Sequence, residues 1–140
     1  MKGILIAAAA LCVATPVAAK TMHLIERATT DATAHVGKEA DNRGDVLTFA
    51  NDVYDAANKL KVGTDQGYCI RIVPGKSFEC IWTLTLANGQ ITVEGPFLDA
   101  GDSTLAITGG TGAFAAMRGE MKLHARDAKG SEYDFIYMLR

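Results

Sequence analysis

Apolar and polar residues alternate along two neighbouring runs in the middle of the chain. Residues 67–73 (GYCIRIV) and 77–86 (SFECIWTLTL) flank the turn signal Pro74-Gly75-Lys76. Successive side chains of a strand point to opposite faces, so one face of the second run is continuously bulky. That face carries Phe78, Cys80, Trp82, Leu84 and Leu86. The pattern predicts a half-buried antiparallel sheet.

The second run ends at Asn88-Gly89, and alternation resumes at once. Asn-Gly between alternating apolar residues is the strongest short-range signal for a two-residue hairpin turn, because both turn residues must adopt positive φ. The expected cross-strand partners are then Leu86 with Ile91, Leu84 with Val93, Trp82 with Gly95 and Cys80 with Phe97.

Other short runs with the same alternation predict further strands at 23–36, 44–51, 105–108, 120–125 and 133–139. Residues 52–61 have a helical composition, but Gly63 and the short length leave a turn or loop equally open. About eight short strands and no long helix indicate an all-β domain. We expect an eight-stranded antiparallel β-barrel rather than a sandwich, since closure removes exposed strand edges.

The first residues have the character of a signal peptide. Lys2 precedes the apolar run 4–13, which is too short to span a bilayer, and Val17-Ala18-Ala19 supplies small residues for cleavage. We predict a signal peptide at 1–19, cleaved after Ala19, and one barrel domain at 20–140. A secreted or periplasmic location follows. An uncleaved anchor is the less favoured alternative.

Charge narrows the choice of partners. The chain has a net charge of −2 at pH 7, with 14 basic and 16 acidic residues. This balance argues against a nucleic-acid partner or an anionic membrane surface. The sequence has no second apolar run of transmembrane length, so we expect no membrane association after signal cleavage.

Two of the three cysteines remain once Cys12 is removed with the signal peptide. If the strands on either side of Pro74-Gly75 pair symmetrically, Cys69 faces Cys80. A cross-strand disulfide between them is geometrically possible, and an oxidising compartment favours it. The alternative is two small buried thiols.

Motifs for nucleotide, metal and nucleophile chemistry are not supported. Gly110 to Ala115 fits the loose G-x-G-x-x-A fingerprint, but no helix or βαβ unit surrounds it, so a glycine corner of a barrel is favoured. The three histidines lack metal-ligand spacing, and the serines lie in or beside turns. We expect no metal and no cofactor.

Several blocks of the sequence resemble the allene oxide cyclase family. They are GDVLTFANDVYD (44–55), KVGTDQGYC (61–69) and VEGPFLDAGDSTLAITGGTGAF (93–114). The block from Thr108 to Phe114, with Arg118-Gly119, also resembles the dirigent proteins. The resemblance implies a calycin-like, eight-stranded antiparallel barrel, usually trimeric, with an apolar cavity for a small hydrophobic molecule. Plant allene oxide cyclases close an unstable fatty-acid epoxide to a cyclopentenone mainly by holding one folded conformation, assisted by a water and a carboxylate.

The resemblance also implies roles for individual residues. Phe49, Tyr54, Cys69, Phe78, Trp82 and Phe97 are the expected ligand-binding residues. Asn51 matches the family's water-binding asparagine, and Asn51, His23 and Arg118 are the candidate catalytic residues. The family's first strand carries E-x-N before E-R, where this chain has His23 and Ile25, so its carboxylate is expected to be missing. Phe97 likewise replaces a tyrosine.

Two functions remain open. The first is an exported barrel that binds a small hydrophobic molecule without chemistry, which the missing polar groups favour slightly. The second is a cyclase, isomerase or dirigent-like enzyme that steers closure or coupling of a reactive apolar intermediate. Both functions require a polar group that points inward beside open volume. A barrel filled by its own side chains would instead indicate a structural role.

Overall fold

A computed structural model describes residues 19–140. The predicted signal peptide, except Ala19, lies outside these residues and stays a prediction. In the described range no helix is long and apolar enough to span a bilayer. The strands are β1 (Lys20–Arg27), β2 (Ala32–Ala34), β3 (Val46–Asp55), β4 (Lys61–Val73), β5 (Ser77–Leu86), β6 (Gly89–Leu98), β7 (Ser103–Gly110), β8 (Gly119–Ala125) and β9 (Glu132–Leu139), with a 3₁₀ helix at Gly112–Phe114.

The strands form a closed antiparallel barrel. Hydrogen-bonded neighbours follow the order β1-β9-β8-β7-β6-β5-β4-β3, and β1 also pairs with β3 to complete the ring. The short β2 pairs with the beginning of β3, while β1 pairs with its end, so one edge of β3 receives two successive segments. The predicted eight-stranded barrel is confirmed, with β2 as one additional strand.

The region 52–61, for which a helix and a turn or loop were both open, is not a helix and contains a turn between two strands. β3 continues to Asp55, a tight turn follows, and β4 begins at Lys61. Asn58 has a φ of 55° in this turn, the left-handed conformation that asparagine tolerates. The Asp55 backbone N–H donates to the Leu60 carbonyl at 2.9 Å and closes the turn.

The predicted register of the β5–β6 hairpin is wrong by two residues. Leu86 pairs with Gly89, so the turn residues are Ala87 and Asn88, and Trp82 faces Val93 instead of Gly95. The reason lies in Gly89, whose φ is 149° and whose Cβ position would collide with the Thr111 carbonyl. The glycine corner after β7 packs directly on this turn and fixes it. A shift of two residues keeps every side chain on its predicted face.

The corner itself is confirmed as a glycine corner. Its helix has only three residues, and the Ala113 N–H donates to the Asn88 carbonyl at 2.9 Å. Phe114 is buried at the end of this helix and closes one end of the barrel core.

Inward-facing side chains fill most of the barrel. The fully or nearly buried apolar residues are Leu24, Val53, Cys69, Phe78, Cys80, Trp82, Leu84, Ile91, Val93, Leu105, Ile107, Phe114, Met121, Leu123, Phe135, Tyr137 and Leu139. The predicted disulfide is confirmed: Cys69 and Cys80 are cross-strand partners, 4.0 Å apart at Cα, and their sulfurs are bonded.

The disulfide is expected to stabilise the barrel by reducing the conformational entropy of the unfolded chain. For the short loop between Cys69 and Cys80, the chain-entropy relation gives about 2–3 kcal/mol. Adding a thiol reductant should therefore lower the urea midpoint of the wild-type protein. The Cys69→Ala/Cys80→Ala double variant should already have the lower midpoint and not respond to reductant. Equal midpoints for oxidised and reduced wild-type protein would contradict this prediction.

Candidate functional site

The barrel interior contains a cavity of about 60 Å³ with mostly aromatic walls. Trp82 stacks on Phe135 with ring centroids 5.7 Å apart, and Phe49 meets Trp82 edge to face at 6.0 Å. Phe97 and Tyr133 form a second edge-to-face pair at 6.0 Å. The full lining is Asp31, Leu47, Phe49, Cys69, Cys80, Trp82, Phe97, Leu123, Tyr133 and Phe135. Such rings hold planar apolar groups well.

The cavity is small as it stands. Sites for drug-sized ligands usually enclose about 300–1,000 Å³. Phe97, Leu123 and Tyr133 also line an open groove of about 390 Å³ beyond the cavity. These three side chains therefore separate the cavity from the groove, and a larger ligand requires them to move.

Trp82 reaches the cavity because β4 has a glycine beside it. Gly67 pairs with Trp82 across β4 and β5, and with Phe49 across β3 and β4. A Cβ at residue 67 would collide with the Ile81 carbonyl and with Trp82. The missing side chain lets the indole lie flat against the barrel wall.

Asn51 stands at the end of the cavity and is held by five hydrogen bonds. Its Oδ1 accepts from the Thr29 and Thr30 backbone N–H groups, each at 3.0 Å, and from the Thr30 hydroxyl at 2.9 Å. Its Nδ2 donates to Glu26 Oε1 at 2.8 Å and to Asp31 Oδ1 at 2.9 Å. Thus the whole amide is engaged by protein groups, and Asn51 acts by positioning two carboxyl groups.

Two of the surrounding carboxyl groups are deeply buried. Glu26 is 5% exposed and Asp65 is 1% exposed. Burial, reinforced by the charge of Asp65, holds the pKa of Glu26 well above its ordinary value. Burial also raises the pKa of Asp65 to about 7, against an opposing hydrogen bond from Glu26. The two carboxyl groups therefore share protons near neutral pH and titrate as a pair.

Three buried polar atoms of the described residues have no hydrogen-bond partner of acceptable geometry in this part of the core. They are Asp65 Oδ2, Trp82 Nε1 and the Tyr137 hydroxyl. Burial, followed by the charge of Asp65, raises the pKa of Tyr137 far above its ordinary value. Its hydroxyl therefore stays protonated. Unsatisfied buried polar groups are rare in folded proteins and concentrate at functional sites.

Four of the six predicted ligand-binding residues, Phe49, Cys69, Trp82 and Phe97, line the cavity. The other two lie elsewhere. Phe78 is buried under Arg71, whose Cζ lies 3.5 Å from its ring centroid, and it lines the groove. Tyr54 packs against Arg27, with 3.7 Å between Cζ and the ring centroid.

The three predicted catalytic residues are not brought together. Asn51 lies behind the cavity wall. His23 is on the outer side of β1, where its Nε2 is 2.8 Å from Asp134 Oδ1. Arg118 is exposed and donates to the Met117 carbonyl at 3.1 Å. Within the described residues, no three His, Cys, Asp or Glu side chains could hold a metal ion together.

Sequence reasoning missed four polar residues of the site: Glu26, Asp31, Asp65 and Tyr133. The family's first-strand carboxylate was expected to be missing at His23, and that stays a prediction; a different β1 carboxyl group, Glu26, occupies a buried position and accepts a hydrogen bond from Asn51. Alternation contained a usable signal for one of them. If Cys69 faces inward, then Gly67 and Asp65 do so as well. Asp31 lies in the break between β1 and β2, for which the sequence has no comparable signal.

The fold and this site define a class: a small antiparallel barrel that encloses an aromatic cavity with carboxyl groups at one end. A family model described as allene oxide cyclase matches residues 21–127. The chain belongs to the allene oxide cyclase family.

Solved structures share the fold. One named pyocyanin demethylase is 27% identical, covers 84% of this chain and 100% of its own, and has a TM-score of 0.70. A pterocarpan synthase dirigent protein is 17% identical, with 87% and 93% coverage and a TM-score of 0.69. A Diels-Alderase from Streptomyces koyangensis is 13% identical, with 87% and 67% coverage and a TM-score of 0.67.

The Glu26–Asp65 pair predicts how the stability of the protein changes with pH. The folded protein binds protons on these groups that the unfolded chain, with ordinary pKa values near 4, has already lost. Their contribution to stability is present below about pH 4 and declines as the pH rises through about 7. The isosteric variants Glu26→Gln and Asp65→Asn should therefore be more stable than wild type at pH 8 and similar to it at pH 4. For Asp65→Asn, the pKa of about 7 corresponds to about 4 kcal/mol at pH 8.

Urea unfolding at both pH values measures this difference. Comparing variant with wild type cancels the other titrating groups, including the surface aspartates. If wild type and both variants have the same free energy of unfolding at pH 8, burial does not raise the pKa values of the pair, and the two groups share no proton near neutral pH.

Proposed function

We propose that this protein binds a small, ring-containing apolar molecule in the aromatic cavity and rearranges it by proton transfer, as a cyclase or isomerase does. The observation that carries the proposal is the placement of Asp31 on the cavity wall, with the Glu26–Asp65 pair behind it. A buried, proton-sharing carboxyl pair weakens the fold, so its presence beside a cavity supports a role in chemistry.

The division of labour follows from the geometry. The stacked and edge-to-face rings restrict the ligand to one conformation, which lowers the entropic part of the barrier. Asp31 is the carboxylate that touches the ligand, and it accepts a proton from one ligand atom. Burial raises the pKa of Tyr133 to about 12, so its hydroxyl remains protonated and can donate a hydrogen bond to another ligand atom. In a ring closure or double-bond shift, Asp31 then returns the proton to a second ligand atom, so the ligand is rearranged without net gain or loss of protons or electrons.

The Glu26–Asp65 pair would act on Asp31 through space and through Asn51. When the pair loses a proton, the added negative charge makes Asp31 a stronger base. The activity should then increase as the pH rises through about 7, where Asp65 titrates. Asn51, Glu26 and Asp65 are in this scheme positioning residues, since they lie behind the wall that the ligand contacts.

The related barrels support a ring-containing ligand. They are named for pyocyanin demethylation, pterocarpan synthesis and a Diels-Alder reaction. Export by the predicted signal peptide, to the periplasm or outside the cell, belongs to the same proposal. So does a homotrimer, because the outer face of β4 exposes a row of apolar side chains: Tyr68, Ile70 and Ile72.

A binding protein without chemistry is the second candidate. It is favoured by the small cavity and by the complete engagement of the Asn51 amide, which leaves no free amide group for a catalytic water. The cavity then serves storage or transport of a hydrophobic molecule, and the carboxyl groups only hold the break between β1 and β2.

A neutral bicyclic probe separates the two candidates. 5-Nitrobenzisoxazole opens its ring when a base removes the proton at C3 and the N–O bond breaks, giving a coloured phenolate. We expect saturable turnover by the wild-type protein, faster than by acetate at equal carboxylate concentration. Asp31→Asn should reduce kcat/KM at least tenfold, or about 1.4 kcal/mol, because the base is lost. Asp102→Asn, at an exposed carboxylate, should leave kcat/KM unchanged.

The pH profile tests the pair behind the base. The rise in kcat/KM near pH 7 should disappear in the Glu26→Gln/Asp65→Asn double variant, while turnover itself remains. Turnover no faster than acetate, with saturable quenching of Trp82 fluorescence, would overturn the enzyme and leave the binding protein. Neither turnover nor quenching would overturn both.

A further inference from the structure

Among residues 19–140, Asp31 is the only charged side chain on the cavity wall. The remaining wall is made of aromatic rings, leucines and the disulfide. An aromatic ring face is the negative end of its quadrupole, so rings around a site attract positive charge. Both the carboxylate and the rings therefore favour a cation and disfavour an anion.

The groups behind the cavity wall add to the same preference for positive charge. Glu26 and Asp65 are carboxyl groups, and Asn51 links Glu26 to Asp31 through its two N–H bonds. Together with Asp31, these groups place three carboxyl groups at one end of the barrel. A ligand that brings a positive charge or an N–H group matches them better than an anion does.

The cations of the adjoining groove do not reverse the charge. Arg71 lies in the groove, where its Nε is 2.7 Å from Asp41 and its Nη1 is 2.6 Å from Asp99. The groove lining has two cationic side chains, Arg71 and Lys129, and two carboxylates, Asp99 and Asp127. The groove therefore adds no excess of positive charge beside the cavity.

We propose that the ligand of this cavity is a planar aromatic ring with a cationic or protonatable nitrogen, and that Asp31 selects it over neutral and anionic rings of the same size. This inference rests on the proposed function, because it assumes that the cavity binds a ring. It departs from the fatty-acid epoxides that plant allene oxide cyclases close, because a fatty acid brings an anion rather than a cation.

Trp82 supplies the assay, since it is the only tryptophan of the chain and its indole forms a wall of the cavity. Three bicyclic probes of similar size differ in charge at pH 7.5: N-methylquinolinium is a cation, quinoline is neutral and 2-naphthoate is an anion. Fluorescence quenching by each probe yields its Kd for the wild-type protein, which should increase in the order cation, neutral ring, anion. Asp31 is also open to solvent, so we expect about a fivefold step between cation and neutral ring.

Two variants that each remove one negative charge identify the carboxylate that causes the preference for the cation. Asp31→Asn keeps the acceptor oxygen for Asn51. This variant should bind N-methylquinolinium at least fivefold more weakly and 2-naphthoate more tightly than wild type does. Its Kd for quinoline should stay within twofold of the wild-type value. Asp102→Asn, on the outer surface, should change none of the three. Thermal unfolding of both variants checks that the barrel is intact. If Asp31→Asn unfolds, wild-type binding at high salt replaces it, and the preference for the cation should diminish.

The outcomes separate the two levels of the argument. If the probes quench Trp82 with equal Kd values, or if Asp31→Asn leaves their order unchanged, charge selection is overturned while the cavity still binds rings. If 2-naphthoate binds most tightly, the field at the cavity is opposite to the one proposed. If no probe quenches Trp82 saturably, the proposed function itself fails.

Discussion

The site depends on one side-chain amide. Asn51 accepts three hydrogen bonds from the chain break between β1 and β2 and donates two to the carboxyl groups of Glu26 and Asp31. These bonds fix the direction in which the chain leaves β1 and bring Asp31 to the cavity, with support from the Ala28 N–H donating to the Ser131 carbonyl and the Ala50 N–H donating to the Thr30 hydroxyl. One residue thereby shapes the backbone and organises the charge. Because five bonds share one planar group, small movements of β3 are transmitted to both carboxyl groups together.

This arrangement brings two requirements of a small barrel into conflict. Closing eight strands around aromatic rings favours a dry interior, whereas Glu26 and Asp65 each lose hydration there. The conflict is partly relieved because the pair can keep a proton and because Asn51 donates to Glu26. Three buried polar atoms in this part of the described core, Asp65 Oδ2, Trp82 Nε1 and the Tyr137 hydroxyl, nevertheless remain without a hydrogen-bond partner. The barrel thus maintains a polar end that packing alone would not select, which is typical of sites where stability has been exchanged for function.

Alternation and turn chemistry predicted the barrel, most of its strands and the disulfide, but the run predicted as one strand at 23–36 is divided into β1 and β2, and β4 begins earlier than predicted, at Lys61. The hairpin register required more, because Gly89 adopts its conformation to clear the Thr111 carbonyl, and that contact joins segments distant in sequence. The site shows the same limit. Phe49, Cys69, Trp82 and Phe97 follow from strand parity, and Asp65 could have been found in that way. Glu26 was not assigned to the site because the family motif, as aligned on Glu26-Arg27, placed its functional groups at His23 and Ile25, and Asp31 lies where backbone periodicity ends.

The disulfide has a consequence for where the protein can work. Cys69 and Cys80 are two of the ten residues that form the cavity wall, opposite the rings that a ligand would contact. Their bond ties together the strands that carry Trp82 and Gly67, so the width of the chamber depends on the oxidation state of the surroundings. A copy retained in a reducing cytosol would present two thiols and a looser wall to the same molecule. Secretion would then do more than deliver this barrel: the destination would complete its binding chamber.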